Sequence, residues 1–205
     1  MTPTPAVPAG LVASVRAAQT PMVLLIRHSD RPHIAPGDSG VSVRLTDTGR
    51  SRVASLRAAL DGELRWAVSS PLVRCTETAR CLGVEPETSS LLGAPGAFVT
   101  DTTRGGEVFG RHGTETVVRQ QLTGETWGCM RPLAEGAGAV FDWLARLRET
   151  RGGLGVAVSH DAIVMPTIAW TVGETFEGEW LAPLDGLVID AAGVVWRGRR
   201  YEGPR

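Results

Sequence analysis

The sequence contains no lysine, and all 21 of its basic residues are arginine. That excludes Schiff-base chemistry and a phosphate loop of the lysine type. An excess of positive charge is also missing. The formal net charge is −1 at pH 7, without the basic face a general nucleic-acid binder needs. Cysteine is scarce: Cys75, Cys81 and Cys129 are odd in number, none is spaced CxxC, and two fall on one expected helix. A disulfide framework is thereby disfavoured, and reduced thiols in a cytoplasmic protein are expected. No apolar run approaches the ~20 residues of a membrane span. The longest, Ala162–Gly173, is interrupted by Pro166. The opening residues MTPTPAVPAGLVASVRAAQT lack the basic start and apolar block of a signal peptide, and no solenoid repeat is present. What remains is one domain over residues 1–205, with no membrane or nucleic-acid partner, whose 42% hydrophobic content suffices for a core.

The chain is organised around MVLLIRHSDRP, residues 22–32. Met22–Ile26 carry no charge, and the run is short and holds Val23 and Ile26, as in a buried strand of a parallel sheet. It empties at once into Arg27, His28, Ser29, Asp30 and Arg31. Ligands of open α/β sheets sit at the carboxyl ends of the strands. Two guanidinium forks suit a dianion such as phosphate, and the imidazole between them is a candidate nucleophile.

Residues 1–10 read as a loose tail and Gly10–Gln19 as a short helix. The Gly- and Pro-rich residues 33–44 read as a loop over the active face. Thr46 caps a helix carrying Val53, Leu56 and Leu60 on one face, ended by Gly62. Arg65–Ser69 reads as a strand, and Ser70-Pro71 as the cap and first residue of a helix over 71–83. Gly83–Ser90 reads as a turn with a short strand. Residues 93–132 read as an inserted cap or lid with a short helix at Glu115–Leu122. A helix follows at Leu133–Thr150, then a buried strand at Leu154–Ser159 ending in His160-Asp161. Ala162–Val172 reads as a helix bent or ended near Pro166, and Gly186–Asp190 with Val194–Arg200 as a terminal hairpin. The fold class expected is α/β, a three-layer α/β/α sandwich with a mostly parallel sheet and a small inserted cap.

Three buried strands thus end in Arg27-His28, in Ser70 with Arg74 behind it, and in His160-Asp161. Parallel strands bring those ends to one edge. Four stretches, LIRHSDRP, LTDTG, SSPLVRCTETA and VSHD, resemble the histidine phosphatase superfamily, also called phosphoglycerate mutase-like. The motifs cover about residues 22–82 and 154–173. The resemblance implies that His28 attacks phosphorus and becomes phosphohistidine, that Arg27 and Arg74 hold the phosphoryl oxygens, and that His160 donates to them. Arg31 resembles the extra phosphate arginine of the acid-phosphatase branch. It implies a metal-independent phosphatase, without cofactor, acting on a small-molecule phosphomonoester. A phosphomutase, or a catalytically silent phosphate-ester binding protein, are the alternatives.

The pattern departs from the family at the proton donor. Gly93 or Ala94 stands where the mutase-like branch usually has a glutamate. Asp161 of the His-Asp pair is the candidate general acid, with Asp30 as runner-up and Asp101 or Glu107 of the cap behind it. Asp161 also fits the plain role of capping the following helix. Arg111-His112-Gly113 spells the family's usual arginine-histidine-glycine, but no buried strand precedes it. His28, Asp30 and His33 could ligate a metal, though two neighbouring arginines oppose a cation. Trp66, Trp143, Trp170 and Trp196 read as core, and Trp127 and Trp180 as pocket lining.

Overall fold

A computed structural model describes residues 6–34, 40–60 and 63–203. Residues 1–5 of the expected tail, 35–39 of the expected active-face loop, and Gly62 as a helix end lie outside them. Ala9–Ala17 (α1) precedes the first strand, Met22–Arg27 (β1). Asp47–Ala59 (α2) opens at Thr46, whose side chain accepts from the Gly49 N–H. Then come Leu64–Ser69 (β2), Val73–Cys81 (α3) and Pro86–Thr88 (β3). The segment 93–132 contains Thr102–His112 (α4) and Thr114–Leu122 (α5). Leu133–Arg151 (α6), Leu154–Ser159 (β4) and Asp161–Val172 (α7) follow, and Gly186–Asp190 (β5), Gly193–Trp196 (β6) and Arg199–Tyr201 (β7) close the chain.

The seven strands form one sheet, ordered β3-β2-β4-β1-β5-β6-β7. The four from β3 to β1 are mutually parallel, and β5, β6 and β7 continue antiparallel. Alternation along β1 shows why its sequence is apolar from Met22 to Ile26. Val23 and Leu25 enter the core under α6, α7 and the 93–132 segment, while Met22, Leu24 and Ile26 enter the core under α1, α2 and α3. Both faces of the sheet are covered there, so β1 has no wet side to make polar.

Four local expectations are corrected. The helix expected from Pro71 begins at Val73, because Ser70 is not an ordinary cap: its hydroxyl accepts from Leu72 N–H at 3.3 Å and also meets the His160 ring. α7 runs through Pro166, so of the bend or end expected there the end is excluded. The Thr167 and Thr171 hydroxyls donate to carbonyls one turn back along its buried face. The last strand of the expected hairpin is split into β6 and β7 by Arg197-Gly198, both with positive φ. α4 has no counterpart among the helices expected from the sequence.

Candidate active site

The β1–β4 register is the origin of the site. Arg27 pairs with Ser159, so His28 and His160 leave the sheet side by side. The His28 N–H donates to the Ser159 carbonyl at 2.8 Å, and the Ser70 N–H at the end of β2 donates to the Val158 carbonyl at 2.9 Å. The two imidazoles stand edge to face with centroids 5.4 Å apart.

His28 is buried, and its Nδ1 lies 2.7 Å from the Ser29 carbonyl. A carbonyl only accepts, so Nδ1 carries the proton and Nε2 keeps its lone pair. Burial, followed by the Arg74 and Arg27 charges and against the Ser29 hydrogen bond, pushes the His28 pKa down to about 3. The ring is therefore neutral, as a nucleophile must be. Ser29 fixes this placement. Its backbone N–H donates to Thr78 of α3, and its hydroxyl to the Gly49 carbonyl of α2 at 2.9 Å.

Arg74 is on the first turn of α3 and buried. Its Nη1 donates to the Gly40 carbonyl at 2.7 Å, and its Nη2 lies 3.2 Å from His160 Nδ1. A guanidinium only donates, so His160 Nδ1 accepts and its Nε2–H donates to Ser70 Oγ at 2.9 Å. Burial, aided by Arg74, holds His160 well below the usual histidine range. Direct donation, as expected from the sequence, requires the Nε2–H to leave Ser70.

Arg27 makes an ion pair with Asp161 at 3.1 Å and donates to the Leu181 carbonyl. Asp161 is the first residue of α7, not its cap; its Oδ1 accepts from the Ala162 N–H at 3.0 Å. Arg31 senses both Arg27 and Asp161, and burial lowers its pKa, as it does that of Arg74. Among the described residues, the Nε atoms of Arg27, Arg31 and Arg74 are buried without a hydrogen-bond partner. The Arg27, Arg31 and Arg74 charges act on one another and on Asp161, a concentration of guanidinium charge of the kind that suits an oxyanion. Three guanidiniums against one carboxylate and two neutral imidazoles leave two positive charges in excess.

Asp30 is committed elsewhere, to Arg52 at 2.7 Å. His33 is exposed, and among the described residues no three His, Cys, Asp or Glu side chains gather as metal ligands. Arg111-His112 ends α4 on the exposed surface, with His112 against Trp127 at 4.7 Å. Sequence reasoning missed Ser29 and Thr78 as positioning groups, and it saw Ser70 only as a strand end and helix cap and Gly93 only as the place of an absent glutamate. Gly93 has φ +142°, and a Cβ there would lie 2.7 Å from both the His160 ring and Ser70 Oγ. Its signal is the gap where the family pattern has a glutamate.

Residues 23–91 match the family model of the Histidine phosphatase superfamily (branch 1). No curated protein sequence matches the chain. Among solved structures, the mycobacterial glucosyl-3-phosphoglycerate phosphatase is 13% identical, with 90% of this chain and 100% of that one covered at a TM-score of 0.58. A structure described as mycobacterial hydrolase 1 is 15% identical, covering 91% and 100% at 0.59. Phosphoglycerate mutase from Thermus thermophilus is 21% identical, covering 83% and 93% at 0.53. The match to the histidine phosphatase superfamily model is thus carried by residues 23–91, and the fold of the chain is the phosphoglycerate mutase-like α/β architecture of these neighbours. No helix among the described residues is long and apolar enough to cross a membrane.

Proposed function

We propose that the protein is a metal-independent phosphatase that hydrolyses a small phosphomonoester through phosphohistidine on His28. One observation carries the reading: a neutral, buried His28 keeps its Nε2 lone pair beside the charges of Arg74 and Arg27, with Arg31 next to Arg27. Phosphoryl transfer needs positioning and charge stabilisation above all, and preset guanidiniums supply both. The Nε2–P bond forms as the P–O bond to the leaving group breaks, with Arg27, Arg31 and Arg74 on the phosphoryl oxygens. His160 exchanges Ser70 for one of those oxygens. Asp161 gives its proton to the leaving oxygen, then takes one from the water that splits the P–N bond. Arg27 lies 3.1 Å from Asp161 in the free protein. An arriving dianion draws on Arg27 and sets a like charge beside the carboxylate, and both effects favour its protonation.

Hydrolysis is preferred over phosphoryl return to a second hydroxyl because Gly93 leaves no room for the mutase-like glutamate against His160. The solved neighbours include both a phosphatase and a mutase. The test is trapping. Incubation with a radiolabelled phosphate ester should give an adduct stable in alkali, lost in acid and absent from His28→Ala, with free phosphate as the product and no effect of chelator. Adduct with an isomeric ester as the only product makes the protein a mutase. Neither adduct nor phosphate from any ester makes it a binding protein. Asp161→Asn should slow an alkyl phosphate by about 10²–10⁴-fold, the usual span of general acid catalysis, and p-nitrophenyl phosphate far less. Equal, near-wild-type rates on both would remove Asp161 from the role.

A further inference from the structure

The residues between α7 and β5 form a strap that touches both the site and the 93–132 segment. Leu181 presents its carbonyl to Arg27, and Trp180 donates its indole N–H to Asp161 Oδ2 at 3.1 Å. The strap is fastened from α5. Arg119 lies 5.4 Å over the Trp180 ring and donates to the Phe176 carbonyl at 2.9 Å. A second fastening comes from the far side, where Arg197 pairs with Glu179 at 2.7 Å.

We propose that Trp180 is a positioning residue for Asp161, held in place by Arg119, and that it decides which oxygen of Asp161 handles the proton. The inference rests on the phosphatase reading above. Trp180 and Arg27 both donate to Oδ2, so a proton on Asp161 sits on Oδ1. Among the described residues that oxygen has only the adjacent Ala162 N–H as donor. The charged and titratable groups facing Asp161 are Arg27, Arg31, Arg74, His28 and Cys75. Trp180 is the neutral donor in the set, so its hydrogen bond can be deleted without changing the charge around the carboxyl.

The indole N–H favours the ionised carboxylate. Trp180→Phe keeps a ring for Arg119 and removes that donor. With an alkyl phosphate as substrate, the alkaline limb of the kcat profile, which reports loss of the acid's proton, should move up by about 0.4–1 pH unit, the worth of one neutral hydrogen bond. Turnover of p-nitrophenyl phosphate should not move with it. Arg119→Met, which loosens the strap without touching the carboxyl, should shift the same limb in the same direction by less. It also serves if Trp180→Phe fails to fold.

A second readout needs no turnover. Of the six tryptophans, the indole resonance missing from the ¹H–¹⁵N spectrum of Trp180→Phe should titrate in the wild-type protein and stop titrating in Asp161→Asn. A flat resonance, or alkaline limbs of Trp180→Phe and Arg119→Met that coincide with wild type, overturns the inference. Absence of phosphate release from any ester defeats the hydrolase reading instead, and the resonance then decides the Trp180–Asp161 coupling alone.

Discussion

At the scale of single residues, the site is built from groups kept out of water. His28 and His160 are both held below the ordinary histidine value, chiefly by burial. In the unfolded chain they titrate near ~6.5. Between that value and about 3, where folded His28 titrates, the unfolded state binds more protons. Stability therefore rises with pH through this window and falls as pH drops from about 6.5, by up to ~1.4 kcal/mol per unit for each histidine. His28→Gln removes one such contribution. Its urea midpoint should fall less than that of wild type between pH 6.5 and 4.5, and parallel declines would mean that His28 is not buried neutral. Gly93 works by the opposite means, through lack of a side chain. With φ +142° and His160 within 2.7 Å of a Cβ, Gly93→Ala must displace the ring or the backbone. Overpacking of this kind costs about 1–3 kcal/mol, so both Tm and kcat should fall. An alanine variant with wild-type turnover would show that His160 tolerates displacement.

At the scale of elements, glycine also decides how the 93–132 segment is seated. α6 contains Gly136 and Gly138 two residues apart. A Cβ on Gly136 would lie 2.2 Å from the buried Phe98 ring, whereas one on Gly138 would meet Trp170 at an ordinary 3.6 Å. The helix propensity gained by alanine is up to about 1 kcal/mol at either position. At 138 nothing opposes it, so Gly138→Ala should raise Tm. At 136 the clash outweighs it, so Gly136→Ala should lower Tm and loosen residues 97–100, read as faster amide exchange there. Two alanine variants with the same sign of change would mean that Phe98 is not seated on α6. The same segment shows where sequence reading stops. α5 was legible because Val117, Val118 and Gln121 repeat at helical spacing, and all three are buried. α4 fully buries only Gly105, and the two apolar residues of its inner face, Val108 and Phe109, pack half-buried against the core between glycines at 105, 106 and 110, a stripe too short to read as a helix. It starts instead from Asp101, whose side chain caps the Arg104 N–H at 3.0 Å.

At the scale of the whole molecule, the parallel half of the sheet was legible because burial on both faces forbids polar residues along β1 and β4. Arg27, His28 and His160 therefore stood out as exceptions at the strand ends. Arg74 was legible from its place on the helix after β2. Contacts that depend on the return of distant chain were not legible: Ser29 against Gly49 and Thr78, and Trp180 against Asp161, are backbone-placed meetings with no local spacing to reveal them. The excess of two positive charges at this edge has a consequence for the entire fold. A ligand that binds only the folded state stabilises it by RT ln(1 + [L]/Kd), about 2.7 kcal/mol at a hundredfold excess over Kd. For a chain of 205 residues, each kcal/mol moves Tm by roughly 2–4 °C. Orthovanadate at that excess should therefore raise Tm by roughly 5–10 °C. The rise should vanish in Arg27→Ala combined with Arg74→Ala, while His112→Ala keeps it in full. An undiminished rise in the double variant would place the anion away from the strand ends, and a loss with His112→Ala would move it to the α4 surface.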